Sequence, residues 1–420
     1  MPRRSSQGSA PAWRLYLVGG AVRDRLMGRP PGDRDWVAVG AQAEDLAREG
    51  YVPVGRDFPV FLHPQTREEV ALARTERKTA RGYHGFEFQA DRSVTLEEDL
   101  KRRDLTINAI AQDEDGSLID PCGGQADLQA KTLRHVSPAF AEDPVRILRL
   151  ARFAARWPEF SVAAETLALC RHMVETGEVD ALVAERVWQE LSRGLMEAQP
   201  SRMFELLRAC AALQRLLPEV DRLWGVPQAA EHPPEVDTGV HLMMVLDATA
   251  QARAPLAVRF AALCHDLGKG STPESQWPHH IGHERHSVEL LHALCQRWRV
   301  PLECRELAEV VAREHVQVHA SLGFSAAATV GLLERLDAWR RPERLPLIVQ
   351  ACQCGARGRL GRQSDDYPQA QRLLQAHAAV LALDTAAVAL AAAADGLRGP
   401  AIGQRIQQAR VQALIDSGWG

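Results

Sequence analysis

A glycine pair set between two apolar runs constrains this chain more than any other feature. Leu15-Tyr16-Leu17-Val18 ends abruptly at Gly19-Gly20, and Ala21-Val22-Arg23-Asp24-Arg25-Leu26-Met27 follows with helical spacing. Asp33 and Asp35 come next and lead into a second apolar run, Trp36-Val37-Ala38-Val39. The order is strand, glycine turn, helix, strand, with an Asp-x-Asp at the head of the second strand. Two adjacent glycines let a backbone approach a ligand closely, and the N–H groups that open a helix favour an anion such as phosphate. Arg23, one turn into the helix, can add a charge-assisted bond to the same phosphate. Residues two apart in an extended strand point the same way, so Asp33 and Asp35 are expected on one face. A hard divalent cation such as Mg²⁺, which also takes phosphate oxygens, relieves the repulsion of such carboxylates.

Gly-Gly alone, or Asp-x-Asp alone, is a tight turn or a solvated loop. The combination in this order is more specific, and resembles the active-site signature of the polymerase-beta-like nucleotidyltransferases. A chain of 420 residues exceeds one ordinary core, so two to four domains are expected. With 46% hydrophobic and 25% charged residues and a formal charge of −4, the composition is that of a soluble globular protein. That charge does not advertise nucleic-acid binding, so any such contact needs a local basic surface. No apolar run approaches the roughly 18–20 residues of a membrane span. The start, MPRRSSQGSAPAW, lacks the apolar stretch of a secretory signal and reads as a short disordered extension. Eight cysteines are scattered through helical-looking segments, and Cys352-Gln-Cys354 lacks zinc-knuckle spacing. Reduced thiols in a cytoplasmic protein are the expectation.

Along the first domain, Ala43 to Glu49 reads as a short helix. Tyr51 to Val54, Val60 to Leu62 and Glu69 to Arg74 read as strands. If the last pairs beside the Asp33/Asp35 strand, Glu69 is a third carboxylate at a metal site; otherwise it is a surface residue. In Asp99-Leu-Lys-Arg-Arg103-Asp-Leu-Thr-Ile-Asn108-Ala-Ile110, a helix would put Leu105 and Ala109 on an apolar face and point Arg103 away. That basic cluster is either a solvated surface or a grip on a nucleotide's triphosphate or sugar, with Asn108 a further candidate. A clear turn, Asp120-Pro-Cys-Gly-Gly124, closes the segment.

Glu142-Asp-Pro-Val-Arg-Ile-Leu-Arg-Leu-Ala-Arg-Phe-Ala-Ala-Arg156 opens a long helical stretch, with Asp143 placed as N-cap and Pro144 as first helical residue. At about 100° per residue, Arg146, Arg149, Arg152 and Arg156 fall within about 120° as one basic stripe. Asp143 is adequately explained as a cap. It also has a sharper reading: a carboxylate beside the Arg146 guanidinium offers acceptor next to donor. Cytosine and adenine present an amino donor next to a ring-nitrogen acceptor, whereas uracil and guanine present the reverse. Such a pair would accept C and A, with side chains acting as the template.

The segments LVGGAVRD, DRDW, ARTER, LKRRDLTINA and EDPVRILRLARF stand in the order seen in class II tRNA nucleotidyltransferases, the CCA-adding enzymes. The chain resembles these from about Leu15 through its tail, and looks like the gamma-proteobacterial type that carries a C-terminal HD domain. The resemblance implies addition of C, C and A to tRNA 3′ ends from CTP and ATP, without a nucleic-acid template. The tRNA 3′-hydroxyl would attack the α-phosphate in line. Asp33 and Asp35 match the Mg²⁺ ligands. Gly20, Arg23, Arg103, Arg149 and Arg152 match nucleotide contacts, and Asp143 with Arg146 the base-reading pair.

Residues 160–226 read as amphipathic helices, among them Ala184 to Leu191 and Met203 to Leu217, with Pro218 as a stop. Pro227 to Pro234 reads as a linker. Histidines then concentrate: His241, His265-Asp266, His279, His280, His283, His286, His315 and His319, with Asp337 after them. Imidazole with carboxylate suits a transition metal such as Ni²⁺ or Mn²⁺ better than Mg²⁺. His241…His265-Asp266…Asp337, with HDLGK, resembles the HD phosphohydrolase motif. It implies metal-dependent hydrolysis of phosphoesters such as 2′,3′-cyclic phosphates and 2′-nucleotides. His283 and His315 are candidate further ligands or phosphate contacts, and His279, His280, His286 and His319 are read as surface residues. From Pro346 the chain is helical and Ala-rich. Arg357, Arg359 and Arg362 either meet tRNA phosphates or form a solvated loop.

The expectation is an α+β fold: a nucleotidyltransferase head of mixed sheet with helices, followed by an all-α neck, body and HD domain. The divisions are 13–140 for the head, 141–230 for neck and body, 231–345 for the HD domain and 346–420 for a helical tail. Partners are tRNA, CTP and ATP, with no membrane and no protein partner evident, as monomer or homodimer. A poly(A) polymerase on the same head is the first alternative. The second is an HD phosphohydrolase whose head only senses nucleotide, against which the complete carboxylate and arginine set argues. A non-catalytic RNA-binding role would leave both metal-ligand sets unused.

Overall fold

Apolar alternation early in the chain builds one mixed sheet. The computed structural model describes residues 13–30, 32–54, 60–78, 86–228 and 237–419, with the backbone path alone at 76–78 and 86–89. The basic start and most of the expected linker lie outside the described residues. The sheet takes β1 (Arg14–Val18), β2 (Asp35–Val39), β3 (Val52–Val54), β4 (Val60–Leu62) and β5 (Glu69–Leu72). After the separate pair β6 (Thr75–Lys78) and β7 (Phe86–Gln89), it is completed by β8 (Ala111–Gln112) and β9 (Leu118–Ile119). The order across the sheet is β3-β4-β5-β2-β1-β8-β9. β1 runs antiparallel to β2, and β2 runs parallel to β5 with Asp35 opposite Glu69.

Period-two alternation sorts the side chains between faces. Tyr16 and Val18 of β1 join Val37, Leu100, Ala109 and Ala111 in one core cluster. Leu17 packs with Ala21, Val22 and Ile110, and Ala38 with Leu46, Phe61, Val70 and Leu72. Gly19 turns β1 into helix α1 (Gly20–Leu26) at φ +69°, a left-handed conformation that favours glycine. Helices α2 (Ala43–Arg48), α3 (Leu96–Lys101), α4 (Gly124–Gln129) and α5 (Val145–Arg156) follow. Thr95 starts α3 with a capping box, its hydroxyl accepting from Glu98 N–H while Glu98 accepts from Thr95 N–H.

Two local expectations are corrected. The stretch from Asp99 to Ile110 is not one helix: α3 stops at Lys101, Leu105 is extended and bridges His135, and Thr106–Asn108 forms a 3-10 turn. The Asp104 carboxylate accepts Leu105 N–H at 2.8 Å, offering the backbone an alternative to the helical bond. Met203 to Leu217 is likewise divided, because Ala211 takes φ +62°. The preceding helix does end at Leu216, just before Pro218, and Pro218 itself opens the next one.

Contacts divide the chain into two units, Met1–Val187 with Glu205–Leu216, and Trp188–Phe204 with Leu217–Gly420. Helices α6 (Ala164–Glu175), α7 (Ala184–Leu195), α8 (Ser201–Ala209), α9 (Ala212–Leu216) and α10 (Pro218–Asp221) run through the middle of the chain. Beyond them come α11 (Thr238–Gln251), α12 (Leu256–Cys264), α13 (His283–Trp298), α14 (Leu302–Ala320), α15 (Ala326–Arg335) and α16 (Arg344–Arg357). The chain ends in α17 (Pro368–Leu381), α18 (Thr385–Ala394) and α19 (Pro400–Asp416). In the second unit α12 is the central helix, buried from Ala257 to Cys264 and packed by α11, α14 and α16. Among the described residues no single helix is long and apolar enough to cross a membrane. Only α17 with α18 together meet that test, and they are bent by 51°.

Candidate functional site

The head site forms where the β1 turn meets the starts of β2 and β5. β2 begins at Asp35, and Asp33 lies in the bend before it rather than in the strand. The parallel register sets Glu69 beside Asp35, so the condition for a third carboxylate is met geometrically. Asp35 keeps solvent contact, yet partial desolvation and then the like charges of Glu69 and Asp33 hold its carboxyl above the usual range. Arg103 opposes this: its charge pulls Asp35 down, and a Cβ on Gly19 would stand 3.2 Å from its Nη1. Gly19, Arg103 and the acidic set therefore lie together. Carboxylates short of positive charge form a donor set that fits Mg²⁺.

Two buried aspartates fix the arginines, and sequence reasoning assigned neither a role. Asp99, fully buried, accepts from Arg102 at 2.6 Å and Arg103 at 3.0 Å. Asp104 accepts from Arg149 at 2.8 Å and from Asn108 Nδ2 at 3.0 Å. Burial pushes the Asp104 carboxyl up, but Arg149 and Asn108 outweigh it and hold it well below the carboxylate range. Asn108 passes the connection on, its Oδ1 accepting from Arg23 at 2.5 Å. Their sequence signal is plain in retrospect: aspartates flank Lys-Arg-Arg on both sides.

Arg23 does not offer a phosphate contact here. It is 4% exposed, donates to Asp24 and Asn108, and lies 4.7 Å from the Trp157 ring centroid. Burial lowers its pKa, with Asp24 acting against the shift. Gly20 stands close by, its ideal Cβ 3.5 Å from Arg23 Nη2. The expected basic stripe of α5 is also not an open surface. Arg146 and Arg152 are buried, while Arg149 and Arg156 remain about a third exposed.

The N-cap of α5 is Pro144, one residue later than expected, and Asp143 before it is extended, its Oδ1 accepting Val145 N–H at 3.1 Å. Its carboxylate also takes both Arg186 terminal nitrogens, at 3.0 and 2.7 Å. Arg146 turns away to the carbonyl oxygens of Ala139 and Arg102. The acceptor-beside-donor edge expected of Asp143 and Arg146 is thus engaged by the protein, and Arg186 is the guanidinium at Asp143. Arg186 stands near the start of an amphipathic helix, where nothing in the sequence ties it to Asp143.

The second site gathers from four helices. His241 comes from α11, His265 caps α12, His283 opens α13 and His315 lies on α14. Asp266 follows His265 and heads the 3-10 turn Leu267–Ser271. Gly268 lets this turn lie against α13, since a Cβ there would fall 2.0 Å from His283 O. The donors form two triads that could hold a metal, His241/His265/Asp266 and Asp266/His283/His315, all buried. Burial keeps His241 and His315 neutral, the ligand form. Asp266 Oδ1 is buried without a hydrogen bond, so the donor set fits a cation.

Asp337, expected as a fourth ligand, is not in the cluster. It sits in a left-handed turn after α15, with its carboxylate on Arg340 at 2.8 Å. The spacing after His265 does not bring it back to α12; α13 and α14 supply His283 and His315 instead. His280, read as a surface residue, is also corrected: it is 1% exposed and bonded to Thr272 and Pro227. His319 meets the Tyr367 hydroxyl at 2.8 Å, and burial with neighbouring His315 lowers its pKa to about 3. A cleft of about 520 Å³ opens over the cluster, lined also by Lys269, Arg357, Arg359, Arg362 and Tyr367. The arginine cluster thus borders the histidine site. Lys269, the last residue of HDLGK, was given no role of its own; it meets Asp266 at 2.7 Å.

Residues 15–134 match the poly A polymerase head domain, 159–223 the probable RNA and SrmB-binding site of polymerase A, and 238–351 the HD domain. The multifunctional CCA protein of Leptothrix cholodnii is 66% identical over 401 residues, spanning 96% of this chain and 96% of that one. The chain belongs to the multifunctional CCA proteins. That of Variovorax paradoxus is 62% identical over 413 residues, across 96% and 99% of the two chains. The Bacillus stearothermophilus CCA-adding enzyme in complex with CTP shares the fold of this multifunctional CCA chain. The TM-score is 0.66 at 23% identity, over 97% of this chain and 90% of that one. A complex of a CCA-adding enzyme with ATP shares it at TM-score 0.62 and 18% identity, over 96% and 86%. This chain therefore has a mixed-sheet head followed by a mostly helical remainder that includes an HD domain.

Proposed function

We propose that this chain adds C, C and A to the 3′ ends of tRNA from CTP and ATP, releasing pyrophosphate, and hydrolyses phosphoesters at its HD site. One observation carries the transferase reading: Asp33, Asp35 and Glu69 gather beside Gly19 and Arg103. In this reading Asp33 and Asp35 hold Mg²⁺, with Glu69 as a third carboxylate. Bound Mg²⁺ supplies charge neutralisation on the triphosphate and a lowered pKa for the tRNA 3′-hydroxyl. Arg103 reaches the phosphates from its anchor on Asp99. Gly20 lets the backbone approach, and Arg23 works from beneath it by holding Asn108. Asp143, aimed by Arg186, reads the base, and Arg146, Arg149 and Arg152 stand on the helix that begins beside it. Residues 13–140 form the head, 141–230 the neck and body, 231–345 the HD domain and 346–420 the tail.

At the HD site, the imidazoles and Asp266 suit Ni²⁺ or Mn²⁺, which would supply an activated water. Lys269 and the arginines at the cleft mouth favour an anionic substrate, for which 2′,3′-cyclic phosphates and 2′-nucleotides are our choice. The eight cysteines are unbridged, consistent with a place in the cytoplasm beside tRNA maturation. The deciding experiment supplies each NTP singly, then CTP with ATP, to a tRNA lacking its CCA. Two C additions from CTP, and a terminal A only when both are present, are expected. Long A tails from ATP alone would make the head a poly(A) polymerase.

A further inference from the structure

One wall of the HD cleft is built where α17 opens, and it hangs on a single histidine. Tyr367, just before α17, and Gln369 within it line the cleft together with His319. The Tyr367 hydroxyl meets His319 Nδ1 at 2.8 Å, and Gln369 Nε2 donates to His319 O at 3.0 Å. His319 lies one turn beyond His315 on α14, with ring centroids 6.1 Å apart, so this wall is held next to the histidine cluster. Each bond leaves a polar group over. The Gln369 amide turns its nitrogen to the carbonyl, and Oε1 is buried without a hydrogen bond from any described residue. Burial pushes the Tyr367 pKa up, so its hydroxyl keeps its proton, and neutral His319 carries one N–H. The bond between them uses one of these protons, so one donor remains, on the hydroxyl or on Nε2. An acceptor and a donor held by the same residue match a hydroxyl group, which donates one hydrogen bond and accepts another. Charge places the group beside it. Burial first and then the Arg359 charge lower the pKa of His241, and Arg359 acts on His319 as well. Arg359 therefore stands near both the cluster and this wall, where it suits a phosphate. Asp365 and Asp366, exposed just before Tyr367, disfavour a second anion there but tolerate a neutral sugar hydroxyl.

We infer that Tyr367 and Gln369 form a ribose subsite of the HD cleft, holding the free 3′-hydroxyl of a nucleoside 2′-phosphate whose phosphate lies at the Asp266 cluster beside Arg359. This rests on the phosphohydrolase reading of the site and names the part of the substrate that the cluster itself does not recognise. The test uses the full-length chain with Mn²⁺ supplied and two probes, adenosine 2′-monophosphate and its 3′-deoxy analogue. Phosphate release gives KM and kcat for each. The unsubstituted chain should take the probe with the 3′-hydroxyl at a KM roughly tenfold lower, as two hydrogen bonds to one hydroxyl imply. Tyr367→Phe and, separately, Gln369→Leu should each cut that ratio to about threefold or less, with circular dichroism confirming the fold. A merely structural role would slow both probes together and leave the ratio as it was. Equal KM for the two probes in the unsubstituted chain would overturn the inference, whether or not either variant folds. A ratio that survives both substitutions, however far turnover falls, would overturn it too. Hydrolysis of neither probe would sink the phosphohydrolase reading; equilibrium dialysis of the same two probes then decides the subsite by their ratio of affinities.

Discussion

At the scale of single residues, the proposed base-reading position turns on how Asp143 is held. Its carboxylate has about four lone-pair sites, and Val145 N–H and the two Arg186 nitrogens take three of them. The remaining site, on Oδ2, is enough to accept one amino hydrogen from cytosine or adenine. Arg186 therefore aims that site, and removing it frees the carboxylate to swing. A charge-assisted pair is worth about 1.5–3 kcal/mol, so Arg186→Ala should cut selection of CTP over UTP by roughly tenfold. Arg186→Lys keeps the charge but loses the two-pronged grip, and should restore selectivity only in part. Competing CTP and UTP on a tRNA lacking its CCA measures this. Unchanged selectivity in Arg186→Ala, with turnover retained, would leave Asp143 a helix cap and nothing more.

At the scale of elements, α5 is coupled to the 3-10 turn at Thr106–Asn108 through Asp104. A buried carboxylate with a depressed pKa stabilises the folded state fully above the unfolded value near 3.9 and loses that contribution as pH falls below it. Asp104→Asn should loosen α5 by about 2 kcal/mol, below the range for a fully buried pair because Arg149 retains water contact. Amide exchange in α5 should then speed roughly 30-fold at pH 7. The difference from the unsubstituted chain should shrink toward pH 3; a constant difference would mean that Asp104 acts without its charge. This coupling marks the limit of what the sequence discloses. Local order was legible, because Leu15–Val18, Gly19 and Trp36–Val39 each carry their own pattern, and β1, α1 and β2 follow it. Periodicity carries no long-range pairing, so nothing local distinguished Arg146, turned to carbonyls, from Arg186, turned to Asp143. Periodicity also drew one helix through Asp104, where a side chain had claimed the backbone N–H.

At the scale of the whole molecule, one chain carries two donor clusters of different chemistry, each proposed to hold a cation. The head offers carboxylates that keep solvent contact, and the HD cluster offers four imidazoles with one carboxylate, all buried. The HD signature announced His265 and Asp266, but its last expected member, Asp337, lies outside the cluster, paired with Arg340. His283 reaches the site where Gly268 lets the turn pack on α13, and His315 comes from α14. Hard oxygen donors suit Mg²⁺, while imidazole favours later first-row ions. Chelation should therefore silence both activities, and restoration should separate them. Mg²⁺ alone should return nucleotide addition with little phosphoester hydrolysis, and Ni²⁺ or Mn²⁺ should return the hydrolysis. Parallel assays on one metal-stripped preparation measure this, each ion titrated to saturation. Equal recovery of both activities with Mg²⁺ alone would show that the imidazoles do not select the ion. The HD site would then work through Asp266 as a simple oxygen donor, and its histidines would serve to shape the cleft.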